Sequence, residues 1–135
     1  MYTSVLVVDK SIDHTGILTN VGLVLGLTAG RLLPDSTFGH DIVDGDGNSH
    51  RYLTNMPQSM RKAGQNKLRS LREYFGELPE VTLVDYTESA AVADYPTYEQ
   101  NLTSRAGDEI SYRAIYIYGP HDIVYPKTKN LSALG

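Results

Sequence analysis

The sequence predicts a single α/β domain over residues 1–135, a three-layer sandwich in which a mixed, mostly parallel sheet of about four core strands is flanked by helices. Three observations predict it. Short β-branched runs alternate with helical patterns along the whole chain. The length of 135 residues is close to the commonest size for one domain. No internal repeat, low-complexity stretch or linker interrupts the pattern.

The elements follow in order. Ser4 to Asp9 is a short β-branched run bounded by charge, the pattern of a buried strand. "TGILTNVGLVLGLTAGRLL", Thr15 to Leu33, follows as a helix, with Asp13 or Thr15 as its N-cap and Gly30 near its end. "DIVDGDGNSHRYLTNM" reads as a hairpin turning at Asp46-Gly47, a favoured tight-turn pair. "GQNKLRSLREYF" is amphipathic: Leu68, Leu71 and Phe75 share one face, and Gly76 and Pro79 stop the helix. Val81 to Tyr86 is a strand, and a helix begins at Tyr95 and ends by Gly107. Ser111 to Gly119 is the last strong strand. After it Pro126 limits the tail to one helical turn and a looser end.

Composition narrows the function. Apolar content of 41% and charged content of 21% are globular values. A net charge of −4 argues against a general nucleic-acid binder, whose surface is basic. The chain has no cysteine, which excludes disulfides, thiolate nucleophiles and cysteine-type zinc sites. The start "MYTSVLVVDK" lacks the basic region and cleavage site of a signal peptide, so a soluble cytoplasmic protein is expected. The helix from Thr15 is too interrupted by Thr19, Asn20, Thr28 and glycines for a membrane span. Its nearly all-round apolar surface predicts a fully buried helix. Gly22, Gly26 and Gly30 form one smooth ridge along it, for close approach to the sheet or to the same helix of a second subunit in a homo-oligomer.

Few motifs carry chemistry. "DGDGN" from Asp44 superficially resembles a calcium loop, but Ser49 and Asn55 stand where glycine and glutamate are required, and a tight turn is the better reading. His14, His40, His50 and His121 form no metal-binding pair, and no metal or cofactor is expected. No nucleophile elbow or Walker loop is present. Arg61, Lys62, Lys67, Arg69 and Arg72 form a basic cluster, read as the solvated face of an amphipathic helix before a phosphate or RNA site. Tyr112, Ala114, Tyr116 and Tyr118 fall on one face of the last strand and read as core rings.

Ligands in open α/β sheets sit outside the carboxyl ends of strands. Two strands here end in carboxylates: Asp9, followed by Lys10, and Asp85, followed by Tyr86 and Thr87. Were those strands parallel neighbours, Asp9, Lys10 and Asp85 would share an edge with the start of the first helix, which carries Gly16 and Asn20. Asp85, Asn20 and Lys10 are the candidate catalytic set, since a carboxylate beside a lysine and an amide can orient a water or hydroxyl. Asp9, Gly16 and Thr87 are the candidate ligand contacts. The competing reading is that aspartates at strand ends cap helices and close turns.

Taken in order, "VLVVDKSI", "GILTNVGLVLGL", the "DGDGNSH" hairpin, "LTNMPQSM", "VTLVDYTESA", "YPTYEQNL" and "IYIYGPHDIVYPKTKNL" resemble the family filed as domain of unknown function number two thousand, a branch of the type II peptidyl-tRNA hydrolase superfamily. Gly119-Pro120, Thr128, Leu131 and Asp85 are similar to residues of the active hydrolases. The resemblance implies a last strand antiparallel to the Asp85 strand. It also implies an insertion of about two dozen residues between them, over the same sheet edge. The hydrolase helix begins glycine-lysine, and that lysine belongs to the proposed catalytic centre. Here Ile17 follows Gly16, with Lys10 the nearest upstream cation, so fold carries over better than activity. Three classes of function remain: a small-molecule binder or enzyme of unknown reaction, with hydrolysis the leading chemistry; a peptidyl-tRNA hydrolase or its inactive relative, for which the acidic charge makes tRNA a disfavoured partner; and an interaction module without catalysis.

Overall fold

The computed structural model describes residues 1–91 and 94–135. A five-stranded sheet organises them, in the order β5-β6-β1-β4-β7. The strands are β1 (Tyr2–Asp9), β4 (Ser59–Ala63), β5 (Thr82–Thr87), β6 (Tyr112–Pro120) and β7 (Ser132–Ala133), and β2 (Ile42–Val43) with β3 (Ser49–His50) forms a separate ribbon. The helices are α1 (Thr15–Leu32), α2 (Gln65–Gly76), α3 (Tyr95–Thr103) and α4 (His121–Thr128).

The sheet is mixed but not mostly parallel, contrary to the expectation from the alternating pattern. Only β1 and β4 pair in parallel, Val5 opposite Ser59 through Asp9 opposite Ala63. β6 runs antiparallel to β1 on one side and to β5 on the other. The reason lies in the connection. A parallel neighbour needs a crossover over the sheet face, and the segment between β5 and β6 reverses direction at the sheet edge instead, carrying α3 with it. β1 and β5 therefore point the same way but are separated by β6, so Asp9 and Asp85 end non-adjacent strands.

Strand alternation sorts the core into two layers. Val5, Val7, Ile115 and Ile117 face α2 and α4, packing on Leu68, Leu71, Phe75 and Val124. Leu6, Val8, Ala114 and Tyr116 face α1, packing on Val21, Leu25 and Ala29. The amphipathic face read for α2 is the buried one.

Four local expectations are corrected. The α1 N-cap is His14, whose ring accepts from the Ile17 amide at 3.3 Å. Asp13 and Thr15 flank the cap without serving as it. α1 is not fully buried: Val21, Leu25 and Ala29 alone are sealed, while Leu23 is 61% and Leu27 69% exposed. The sheet covers one stripe of the helix, and nothing among the described residues covers its outer side. The glycine ridge does not touch the sheet either, since a Cβ on Gly22, Gly26 or Gly30 would meet no atom within 4 Å. The tail holds two helical turns rather than one, because Pro126 sits near the end of α4 and removes a single intrahelical bond.

A further correction concerns β6. Tyr86 pairs with Ala114 but Thr87 pairs with Tyr112, so Arg113 bulges out of the ladder. Beyond the bulge the alternation inverts: Tyr112 joins the α2 core, whereas Ala114, Tyr116 and Tyr118 stay on the α1 side. The Gln65 side chain holds this bend. Its Nε2 donates to the Tyr112 carbonyl at 2.6 Å and to Asp9 Oδ2 at 2.8 Å, and its Oε1 accepts from the Tyr112 amide at 2.9 Å. One amide thus stands in on the β1 side, where the ladder of β6 with β1 ends at Ala114. Gln65→Ala is expected to lower unfolding free energy by about 2 kcal/mol in urea titrations, because partly buried backbone groups lose their partners. Gln65→Glu is expected to cost at least as much at neutral pH, since it sets a second carboxylate against Asp9 and the Tyr112 carbonyl.

Candidate functional site

A cleft of about 700 Å³ lies between α1, β5, the start of β6 and α3. Val24, Leu25 and Val84 form its apolar wall. Asn20, Thr28, Tyr86 and Arg113 supply its polar groups together with the carboxylates of Asp85 and Asp94, and Tyr95 and Tyr98 reach in from α3. α3 is set there by Asp94, whose carboxylate caps it by accepting from the Thr97 amide at 2.8 Å. Arg69 fixes the rest of the insertion from the other side, donating to the Gly107 carbonyl at 2.9 Å and to the Ile110 carbonyl.

Asn20 and Asp85 both line the cleft, as the strand-end reading expected. Asn20 Oδ1 accepts from the Tyr86 hydroxyl at 2.7 Å, which leaves the amide's two N–H donors for other partners. Asp85 sits on the edge strand with its carboxylate turned toward α2, where Arg72 Nε lies 3.2 Å away. The side chains of that pair are 46% and 23% exposed, so the contact is a partly screened tether of β5 to α2. Thr87 follows at the strand end, its Oγ1 2.7 Å from Ser89 Oγ.

The other candidates do not join them. Asp9 closes its own turn, accepting from the Ser11 amide at 3.0 Å, and holds Gln65 with its second oxygen. Lys10 is exposed, and its stem lies near Gly64. Gly16 sits in the first turn of α1 against the His14 ring. The aspartate-lysine-amide constellation is therefore not assembled: Asp9 and Lys10 belong to the α2 side of β1, and Asn20 to the α1 side. For Asp9 the turn-closing role holds.

The basic cluster is likewise dispersed. Arg61 and Lys62 lie on β4, not on a helix, and Arg69 and Arg72 are engaged with the insertion and with Asp85. Asp44, in the "DGDGN" turn, spends its carboxylate on the amides of Asp46 and Asn48 and on His50. Those bonds, His50 first, hold Asp44 below the usual carboxylate range. Gly47 takes the left-handed backbone conformation the turn requires, at φ 87°.

Arg113 is the site residue that pattern reading missed. The bulge turns it toward the α1 side, with its guanidinium 6.0 Å from the Tyr86 ring centre. Among the described residues it makes no ion pair. A signal for it existed: it is the one charge inside "SYRAIYIYG".

The family model described as protein of unknown function DUF2000 matches residues 3–134. The chain belongs to the DUF2000 family. A solved structure, that of the protein of unknown function Atu0240 from Agrobacterium tumefaciens strain C58, is similar to this DUF2000 chain with a TM-score of 0.86 at 18% identity, covering 99% of this chain and 98% of that one. That likeness is one of fold. No curated protein matches the chain.

Burial raises the Tyr98 phenol above the ordinary tyrosine range, and the nearby Asp85 carboxylate adds to it against a smaller opposing hydrogen bond from Thr87. A raised pKa means the folded state prefers the neutral ring. Its contribution to stability is whole below the ordinary tyrosine value and is lost as pH rises through the folded one. NMR titration of ring-labelled tyrosine is expected to show Tyr98 ionising later than a model tyrosine, and Asp85→Asn to bring it earlier; an unchanged midpoint in that variant would contradict the placement.

Proposed function

We propose that this DUF2000 protein binds a small molecule with one anionic group and a flat or apolar body, in the cleft that holds Arg113, Asn20 and Tyr86. The observation that carries this reading is the bulge-presented Arg113 guanidinium, unpaired among the described residues, beside the free amide donors of Asn20. Arginine and amide donors together suit a carboxylate or phosphate. The apolar wall and the α3 tyrosines suit the rest of a ligand, and a concave, mostly apolar cleft with a few convergent polar groups is the usual form of such sites. Asp85 stands at the rim, with its carboxylate turned away to Arg72.

Peptidyl-tRNA hydrolysis has weaker support. Asp85, Gly119-Pro120, Thr128 and Leu131 match that superfamily's pattern, and helices cover both faces of the sheet, as a hydrolase-like layered fold would have. Yet Ile17 stands where the hydrolase lysine would, and Lys10 lies outside the cleft. A cation that could steady an oxyanion is therefore missing from that position. A thermal-shift screen of anionic metabolites is expected to find ligands that raise the melting temperature. Arg113→Met should weaken them by about tenfold or more, while peptidyl-tRNA shows no turnover. Hits that survive Arg113→Met would defeat the reading, and peptidyl release at catalytic enzyme levels would restore the hydrolase.

A second reading, self-association through α1, rests on one further observation. The outer face of α1 projects Leu23 and Leu27, and beside them Gly22, Gly26 and Gly30 line a groove of about 410 Å³ shared with Phe38, Tyr52 and Leu53. A two-fold interface needs knob and hole on the same patch. Sedimentation is expected to show a dimer that Leu27→Glu dissociates; a wild-type monomer at high concentration would end this reading.

A further inference from the structure

A second pocket, about 330 Å³, lies at the opposite end of the sheet from the Arg113 cleft. It sits where β1 and β4 begin and β6 runs into α4, and it plays no part in the binding site proposed above. Arg61, His121 and Lys129 line it with the Gln58 amide and the hydroxyls of Thr3 and Ser59. No carboxylate side chain lines it. In a chain with 16 acidic and 12 basic residues, a pocket with two full cations and no acid is an electrostatic exception.

The donors are held in place rather than free to wander. Arg61 Nη1 donates to the Leu131 carbonyl at 2.9 Å and Nε donates to Ser59 Oγ at 3.1 Å. Those two bonds fix the guanidinium plane and leave further N–H groups unspent. Ser59 accepts from Arg61, so its own proton remains to be donated. Thr3 Oγ1 lies 2.7 Å from His121 Nδ1, and the imidazole is stacked on Tyr125 with ring centres 4.6 Å apart. With the Thr3 hydroxyl donating to Nδ1, the ring proton sits on Nε2 and is a fourth donor. Arg61 and Lys129 make no ion pair among the described residues. A fixed guanidinium fork, the Lys129 ammonium, an imidazole and a hydroxyl line one pocket. That arrangement matches the several acceptor oxygens of a tetrahedral dianion better than the two of a planar carboxylate.

We propose that this pocket binds a phosphate dianion, either inorganic phosphate or the head of a small phosphomonoester whose body rests on Tyr125. The test uses the full ¹⁵N-labelled chain, titrated separately with inorganic phosphate and with glycerol phosphate. Saturable amide shifts are expected at Thr3, Ser59, Arg61 and Lys129 with at least one probe. Lys129→Met removes an exposed side chain with no hydrogen-bond partner in the fold, so it should leave the remaining spectrum unchanged and weaken binding by about tenfold or more. Arg61→Met should weaken it at least as much. Tighter binding of the ester assigns the pocket to phosphomonoesters, and equal or weaker binding assigns it to the free dianion. The proposal is overturned if neither probe saturates, if the shifts scatter over surface lysines, if they fall at Asn20 and Arg113 instead, or if Lys129→Met binds as the parent does. Because the two pockets report through different amides, failure here leaves the Arg113 site standing.

Discussion

One side-chain amide, that of Gln65, holds the geometry on which the rest depends. It stands at the first residue of α2 and satisfies both backbone groups of Tyr112, where β6 leaves its ladder. Without a partner those groups would be half-buried and unpaired, an arrangement folded proteins avoid. With one, β6 can accommodate an extra residue, and three consequences follow. Tyr112 turns into the α2 core. Arg113 turns toward α1 and into the cleft. Asp9, held by the same amide, is committed to structure rather than chemistry. A single helix-start residue thus sets which side chains from two strands face the candidate site.

The cations tell a similar story. Read along the chain they form one patch; in space each fastens a different piece. Arg61 reaches the carbonyl of Leu131 in the tail, Arg69 the insertion, and Arg72 the edge strand through Asp85. Guanidinium groups suit this work because their fixed forks reach more than one acceptor and stay charged. The acidic net charge therefore does not spread evenly. Arg113 and Lys129, which make no ion pair among the described residues, stand at opposite ends of the sheet.

Much of the secondary structure was legible, because hydrophobic period reports burial directly. β1, β5 and β6, the two long helices and the Asp46-Gly47 turn fall within a residue or two of their expected places. β4 was not legible: Ser59–Ala63 mixes polar and cationic residues, and its pairing with β1 and β7 makes it a strand. Sheet direction was misread because an alternating pattern does not distinguish a crossover from an excursion at the edge. α1 was misread because an apolar circumference fits burial and exposure to a partner equally well. Of the candidate cleft, strand-end logic pointed to Asn20 and Asp85, whereas Arg113 showed only as the one charge inside an apolar and aromatic strand. A bulge moves a side chain from one face to the other, and the sequence does not announce where it falls.

The roof of the cleft has a consequence of its own. α3 buries none of its residues, and it meets the remainder of the molecule through a cap, a few tyrosine contacts and the Arg69 bonds to the following segment. Segments with so few sealed apolar contacts open locally at a fraction of the free energy of global unfolding. The amides of α3 and of the sheet beneath it therefore exchange with solvent on separate scales, the first governed by detachment of the insertion and the second by loss of the whole fold. A ligand clasped between α3 and α1 would couple those scales, so its arrival would be written in the slowed exchange of a helix that the core itself does little to hold.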